Sequence, residues 1–135
     1  MNYISFDNLD KYNVINCYTK KPYNFNFRVL SEEEVSKSLD SLSNELNYHF
    51  DKYVFPIQSH TTNVEIVDES NVDSVFNDVD GVLTNLKGVA LGTMSGDCQT
   101  ILVYDKVNNV VGSIHSGWKG TLNGIITTKM IQVDG

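Results

Sequence analysis

Two apolar runs joined by a short polar turn constrain this chain more than any other stretch. Thr100 to Tyr104 (TILVY) is typical of a buried strand, the turn DKVNN follows it, and Val110 to His115 (VVGSIH) is the second run. Runs of this kind with a polar turn between them predict two strands that pair side by side. Cys98 lies just before the first run and His115 ends the second. Pairing would therefore bring a thiol and an imidazole to the same end of a sheet.

The size and composition of the chain predict one modest domain covering residues 1–135. Its 135 residues are 41% apolar and 20% charged, as in an ordered globular protein. No apolar run approaches the roughly 18 residues of a membrane-spanning helix, so we expect no membrane partner. The net charge of −7 argues against nucleic-acid binding, although a local cationic pocket for phosphate needs only a few basic groups.

The first residues, MNYISFDNLD, carry no pattern of a secretory signal. They are polar and acidic and lack a basic start followed by an apolar centre. We therefore expect a cytoplasmic protein in which Cys17 and Cys98 are reduced thiols.

The periodicity of the remaining chain predicts a mixed α/β fold. Ser31 to Phe50 is predicted to be a helix, because Ser31 and Glu34 have the spacing of a capping box and four apolar residues follow at helical spacing: Val35, Leu39, Leu42 and Leu46. A second helix is predicted from Trp118 through Ile131. Short apolar or alternating runs predict strands at residues 14–19, 53–57, 63–67, 82–84, 89–94, 100–104 and 110–115. The expected fold class is α/β (α+β), a mixed β-sheet with flanking helices.

Three side chains have the chemistry of a metal site: His60, Cys98 and His115. Two imidazoles and one thiolate are donors that zinc prefers, and three protein ligands leave one position open, as in a catalytic site; copper is compatible with the same donors. Two alternatives use the same residues without metal. In one, Cys98 is a small core residue and the histidines are hydrogen-bonded loop residues. In the other, Cys98 is the nucleophile of a cysteine hydrolase or deamidase, with His115 as base and Asp97 as its orienting group.

The segment SGWKGT (Ser116 to Thr121) predicts a Gly-rich turn that opens a helix. Backbone N–H groups at a helix start, with Lys119 beside them, suit an anion such as phosphate. A plain strand-to-helix connection accounts for the same residues.

The motifs, taken in order, resemble those of one family. They are Gln58-Ser59-His60, Asp80-Gly81-Val82-Leu83-Thr84, Ser95-Gly96-Asp97-Cys98, Asp105, and His115-Ser116-Gly117-Trp118-Lys119-Gly120-Thr121. This set is similar to the laccase-domain family, also called YfiH-type or polyphenol-oxidase-like.

The resemblance implies an enzyme of purine nucleoside chemistry. Its members phosphorolyse adenosine, inosine, guanosine and methylthioadenosine and deaminate adenosine, so purine nucleoside and phosphate are the implied partners. Carried onto this chain, the metal ligands are His60, Cys98 and His115, Asp97 matches the aspartate before the cysteine, and Lys119 stands where arginine is usual. The implied phosphate site comprises Gly117, Lys119, Gly120 and Thr121.

Length is the main departure from the family. Its members are about twice as long, still within the range of a single domain, so the resemblance covers only their front part. We therefore keep a further hypothesis, a truncated metal-binding domain without turnover. An apolar face left open where the back part of the family would pack is expected to favour a homodimer. A multi-copper cluster is disfavoured, because the chain has only three histidines.

Overall fold

The computed structural model of the protein describes residues 3–12, 14–19, 30–94 and 99–116. In chain order the elements are β1 (Tyr3–Ile4), α1 (Asp7–Asp10), β2 (Tyr18–Thr19), α2 (Glu32–Leu46), β3 (Lys52–Val54), β4 (Val64–Val67), β5 (Gly81–Thr84), β6 (Val89–Leu91), β7 (Gln99–Asp105) and β8 (Val110–Ser116). They form two compact units, Met1–Phe50 and Asp51–Gly135. The single domain over 1–135 stays a prediction.

The first unit contains the long helix and a small strand pair. Ser31 caps α2: its hydroxyl accepts the backbone N–H of Glu34, and the Glu34 carboxylate accepts the N–H of Ser31, which is the predicted capping box. The helix ends at Leu46 rather than Phe50, because Asn47 adopts the left-handed conformation (φ 53°) that closes many helices. The apolar stripe is half-buried, except for Leu42, which is buried.

The strand predicted at residues 14–19 is much shorter in the structure. Only Tyr18–Thr19 pairs, antiparallel to Tyr3–Ile4. The reason is Asn16, whose side chain accepts the N–H of Phe6 at 2.7 Å and donates to the carbonyl of Val14 at 2.8 Å. Such side-chain bonds to the backbone compete with a strand ladder.

The second unit is built from two sheets. The larger has the order β4-β5-β8-β7, with β4 and β5 parallel and the other two pairs antiparallel. This is the predicted mixed sheet. In the smaller sheet β3 and β6 pair in parallel, so β5 and β6, although joined by a short turn, belong to different sheets.

The core of this unit lies between strand residues of both sheets and the loop before β5. Its buried members are Val54, Val67, Phe76, Val79 and Val82, with Val72, Val89 and Leu91 packed against them. The acidic segment from Asp68 to Asp80 contributes Val72, Phe76 and Val79, which anchor it against the strands. Gly112 of β8 allows close strand contact, because a Cβ there would overlap the side chains of Leu83 and Val103.

The β7–β8 hairpin has the predicted pairing, with both strands slightly longer than expected. Gln99 faces Ser116, Thr100 faces His115, and Asp105 faces Val110. The predicted helix from Trp118 to Ile131 lies outside the described residues. No helix in the described ranges is long and apolar enough to span a membrane.

Candidate metal centre

His115 lies near the end of β8, buried and held by a carboxylate. Its side chain is 4% exposed, and its Nδ1 lies 2.8 Å from Oδ2 of Asp80, which is fully buried. The backbone N–H of His115 also donates to the Asp80 carbonyl, at 2.7 Å. Asp80 immediately precedes β5, the neighbour of β8, so sheet pairing itself delivers the carboxylate to the imidazole.

His60 reaches the same place from the turn that precedes β4. Its backbone has φ 63°, in the left-handed region, and its N–H donates to Asp80 Oδ2 at 3.1 Å. The ring is exposed, and its centroid lies 5.2 Å from that of His115 with the two planes 80° apart. The left-handed region is unusual for a residue with a side chain, although histidine is among those enriched there. The turn at His60 is therefore a specific feature held in place by its partners.

The Asp80 carboxylate organises this turn. Oδ1 accepts the N–H of Ser59 at 3.2 Å, the N–H of Thr61 at 2.9 Å and the Thr61 hydroxyl at 2.9 Å. Burial acts to raise the pKa of Asp80, but the hydrogen bonds from Thr61, His115 and Ser59 outweigh burial and hold that pKa below its usual value. The site thus contains a buried carboxylate that is ionised at neutral pH.

Gln58 fixes the start of the segment that leads to the cysteine motif. Its amide donates to the carbonyl of Met94 at 2.8 Å and accepts the N–H of Met94 at 2.6 Å. The side chain is buried, and it spans two stretches 36 residues apart in sequence. Gln58 therefore ties the turn that carries His60 to the chain just before residues 95–98.

The structure brings two of the predicted site residues together, His60 and His115. The other six lie outside the described residues: Asp97, Cys98, Gly117, Lys119, Gly120 and Thr121. Within the described ranges, no group of three or more His, Cys, Asp or Glu side chains could hold a metal ion. Cys98, the third ligand of the predicted set, is among the residues that the structure does not describe.

The distance between the two imidazoles is compatible with one shared tetrahedral ion. Zinc bound at about 2.0 Å to a ring nitrogen lies about 3.2 Å from that ring's centroid. Two rings on one tetrahedral ion then have centroids about 5 Å apart. The observed 5.2 Å agrees with this value, and the Asp80 bond at Nδ1 leaves Nε2 as the nitrogen of His115 that could bind a metal.

Asp80 is the site residue that sequence reasoning missed. The orienting role was predicted for Asp97, the neighbour of Cys98, which lies outside the described residues. The carboxylate bound to His115 is that of Asp80, 35 residues before His115 in the chain. The available indication was its position in the motif Asp80-Gly81-Val82-Leu83-Thr84, at the start of a buried strand.

Comparisons with known proteins agree with this fold. A family model described as multi-copper polyphenol oxidoreductase laccase matches residues 17–134. The crystal structure of the Bacillus licheniformis hypothetical protein YfiH superposes with a TM-score of 0.66 at 26% identity, covering 78% of this chain and 44% of that one. The expected YfiH-like mixed α/β fold is confirmed.

Curated relatives carry enzyme names. The chain is 31% identical over 111 residues to a purine nucleoside phosphorylase of Staphylococcus epidermidis, which is 77% of this chain and 42% of the relative. It is 29% identical over 92 residues to adenosine deaminase RL5 of an unknown prokaryotic organism, which is 63% of this chain and 35% of the relative. The chain thus spans less than half the length of these relatives.

Proposed function

The chain belongs to the multi-copper polyphenol oxidoreductase laccase family, and on that premise we propose that it acts on purine nucleosides at a zinc site. The proposed ligands are His60, Cys98 and His115. The proposed reactions are phosphorolysis of adenosine, inosine, guanosine and methylthioadenosine, and deamination of adenosine. The names of the relatives support this choice of chemistry.

The observation that carries the proposal is the pair of imidazoles. His60 comes from a turn and His115 from β8, 55 positions later in the numbering, and their rings lie at a separation that one tetrahedral ion allows. A histidine with its Nδ1 bonded to a carboxylate and its Nε2 available is the usual state of a zinc ligand. Together, these two features support a shared metal site.

Chain connectivity supports Cys98 as the third ligand. Cys98 is two residues before Thr100, which faces His115 across the hairpin. Two residues of extended chain span about 7 Å, an interval short enough to allow a ligand from this position, just before the start of β7, to share a metal with the two imidazoles. A thiolate with two imidazoles is a set that zinc accepts, and copper is compatible with the same donors.

The remaining roles follow from residue chemistry. When bound, zinc supplies Lewis-acid activation of water, the chemistry that deamination at purine C6 requires. Asp97 is proposed to hold or move a proton next to this centre. Lys119, with the backbone N–H groups of Gly117, Gly120 and Thr121, is proposed to bind the phosphate that attacks ribose C1′ while the purine base leaves.

A second candidate uses the same residues without metal. The bond between Nδ1 of His115 and Asp80 is also the arrangement that orients a general base beside a nucleophile. Cys98 with His115 would then make a cysteine hydrolase or deamidase, with Asp80 in the orienting position.

The test measures zinc content together with release of hypoxanthine from inosine, with and without phosphate. The proposal predicts about one zinc per chain, base release only with phosphate, and loss of both in Cys98→Ala. Zinc without base release would contradict the proposed activity of this chain and favour a metal-binding domain without turnover. Rapid alkylation of Cys98 with no bound metal, unaffected by chelator, would favour the cysteine hydrolase. Sedimentation of the same sample tests the predicted homodimer.

A further inference from the structure

The Asp80 carboxylate is surrounded by hydrogen-bond donors on both of its oxygens. Three of them are the consecutive backbone N–H groups of Ser59, His60 and Thr61, at 2.9 to 3.2 Å. Backbone N–H groups cannot accept, so both carboxylate oxygens act as acceptors toward this turn, and so many donors favour the ionised carboxylate. The carboxylate also lies 2.8 Å from Nδ1 of His115. With an ionised carboxylate as acceptor, Nδ1 is the donor of this hydrogen bond.

The two oxygens of the Asp80 carboxylate have different sets of partners. Within the described ranges, Oδ1 accepts from the turn alone, through Ser59 and Thr61. Oδ2 accepts from the His60 N–H and from His115 Nδ1, so one atom touches both histidine residues. The main chain repeats the connection, because the Asp80 carbonyl accepts the His115 N–H and the Asp80 N–H donates to the Asn63 carbonyl at 2.9 Å.

We propose that Asp80 is a positioning residue that sets both histidines at once: it holds the His60 turn in its left-handed conformation and locks His115 with the proton on Nδ1 and the lone pair on Nε2. The inference rests on the proposed function in one respect, namely that these two imidazoles bind a metal. The tautomer of His115 and the geometry of the His60 turn can both be tested without a metal.

Only a carboxylate can fill this position. In an Asp80→Asn variant, one amide orientation places its NH₂ group against the N–H groups of Ser59 and Thr61, which leaves donors facing donors. The other orientation places NH₂ against the His60 N–H and against His115 Nδ1. In that case His115 must accept at Nδ1 and carry its proton on Nε2, the atom that a metal would need. Either orientation damages one half of the site.

Asp78 supplies a matched control. It is two residues away in the same loop, and it has a left-handed backbone (φ 55°) that asparagine tolerates. Its carboxylate accepts the Ser59 hydroxyl at 3.0 Å, and in the described part of the chain it makes no hydrogen bond to His60 or His115. Asp78→Asn makes the same change of charge without removing a donor–acceptor match at His60 or His115.

The first readout is the tautomer of the neutral His115 ring, measured in the ¹⁵N-labelled, metal-free wild-type chain. It is read from the ¹⁵N NMR chemical shifts of the two ring nitrogens. The proposal predicts a proton on Nδ1. A neutral ring with its proton on Nε2 and none on Nδ1 would overturn the inference, and this readout needs no variant that must fold.

The second readout is zinc affinity, measured by competition with a chelating dye for wild type, Asp80→Asn and Asp78→Asn. Removing the carboxylate partner of a histidine ligand typically weakens metal binding about 10- to 100-fold. We expect a loss of that size in Asp80→Asn and less than about threefold in Asp78→Asn. Equal affinities for wild type and Asp80→Asn, or equal losses in both variants, would refute the positioning role. If wild type binds no zinc, the proposed function fails, and the tautomer of His115 still decides the inference.

Discussion

Replacing Gln58 with methionine should weaken the fold by a predictable amount, because the change keeps the shape of the side chain and removes both of its hydrogen-bonding groups. In the native structure the Gln58 amide pairs with the N–H and the carbonyl of Met94, at 2.6 and 2.8 Å. The thioether of the Gln58→Met variant would leave both backbone groups of Met94 without these partners.

The magnitude follows from the burial of these groups. A buried backbone group left unpaired costs about 1–3 kcal/mol, and Met94 is half-buried, so water offsets part of that cost. We therefore expect a loss of about 2–3 kcal/mol in the free energy of unfolding. With a urea slope of about 2 kcal/mol per molar, the unfolding midpoint should fall by about 1–1.5 M.

Urea unfolding followed by fluorescence measures this shift, with Asn85→Met as the control. Asn85 also has an amide side chain, but it is exposed, so the same chemical change should move the midpoint by less than about 0.3 M. A Gln58→Met midpoint that stays as close to wild type as the control would refute the reasoning that the amide holds Met94 in place.

Three further predictions concern other parts of the chain. Ser31→Ala removes the capping box of α2 and should lower stability by about 1 kcal/mol, seen as a lower Tm by circular dichroism; an unchanged Tm would contradict the capping geometry. Thr100→Val removes a hydroxyl that is buried without a hydrogen-bond partner in the described part of the chain. The free energy of unfolding should therefore stay the same or rise by up to about 1 kcal/mol, as measured by urea unfolding. A clear fall in the urea midpoint would mean that the hydroxyl is paired. Burial raises the pKa of the Cys17 thiol, so its native form should be alkylated more slowly at pH 8 than the unfolded chain, as read by peptide mapping. Because the pKa of Cys17 is higher in the folded state, its protonated thiol favours folding. This stabilising effect is present below the unfolded pKa of about 8.5 and is lost as the pH rises through the folded-state pKa. Equal alkylation rates of the native and unfolded chain would contradict the raised pKa.

Sequence patterns correctly predicted those elements whose formation depends on residues close together in the chain. The start of α2 follows from Ser31 and Glu34, which lie three residues apart, and the β7–β8 hairpin follows from two apolar runs around a polar turn. The end of α2 was predicted too late in the chain. Asn47 closes the helix by adopting a left-handed conformation, which asparagine can adopt but does not always adopt, so the sequence alone does not specify it. The strand at 14–19 was overextended, because the bond between Asn16 and Phe6 depends on how the chain folds back.

The carboxylate at the candidate site could not be found from local patterns. Asp80 ends an acidic loop in which exposed carboxylates are the normal expectation, and its burial results from partners 19 to 35 residues away. The histidine pair was a prediction of residue chemistry and family motifs. Its 5.2 Å separation depends on sheet register and on the left-handed turn at His60, and neither is encoded by spacing in the sequence.

The central claim, that His60, Cys98 and His115 share one metal ion, is tested most directly by zinc K-edge X-ray absorption of the zinc-loaded chain. The claim predicts one sulfur at about 2.3 Å and two imidazole nitrogens at about 2.0 Å, with no sulfur around any residual zinc in Cys98→Ala. A shell of light atoms only, without sulfur and unchanged in that variant, would contradict it.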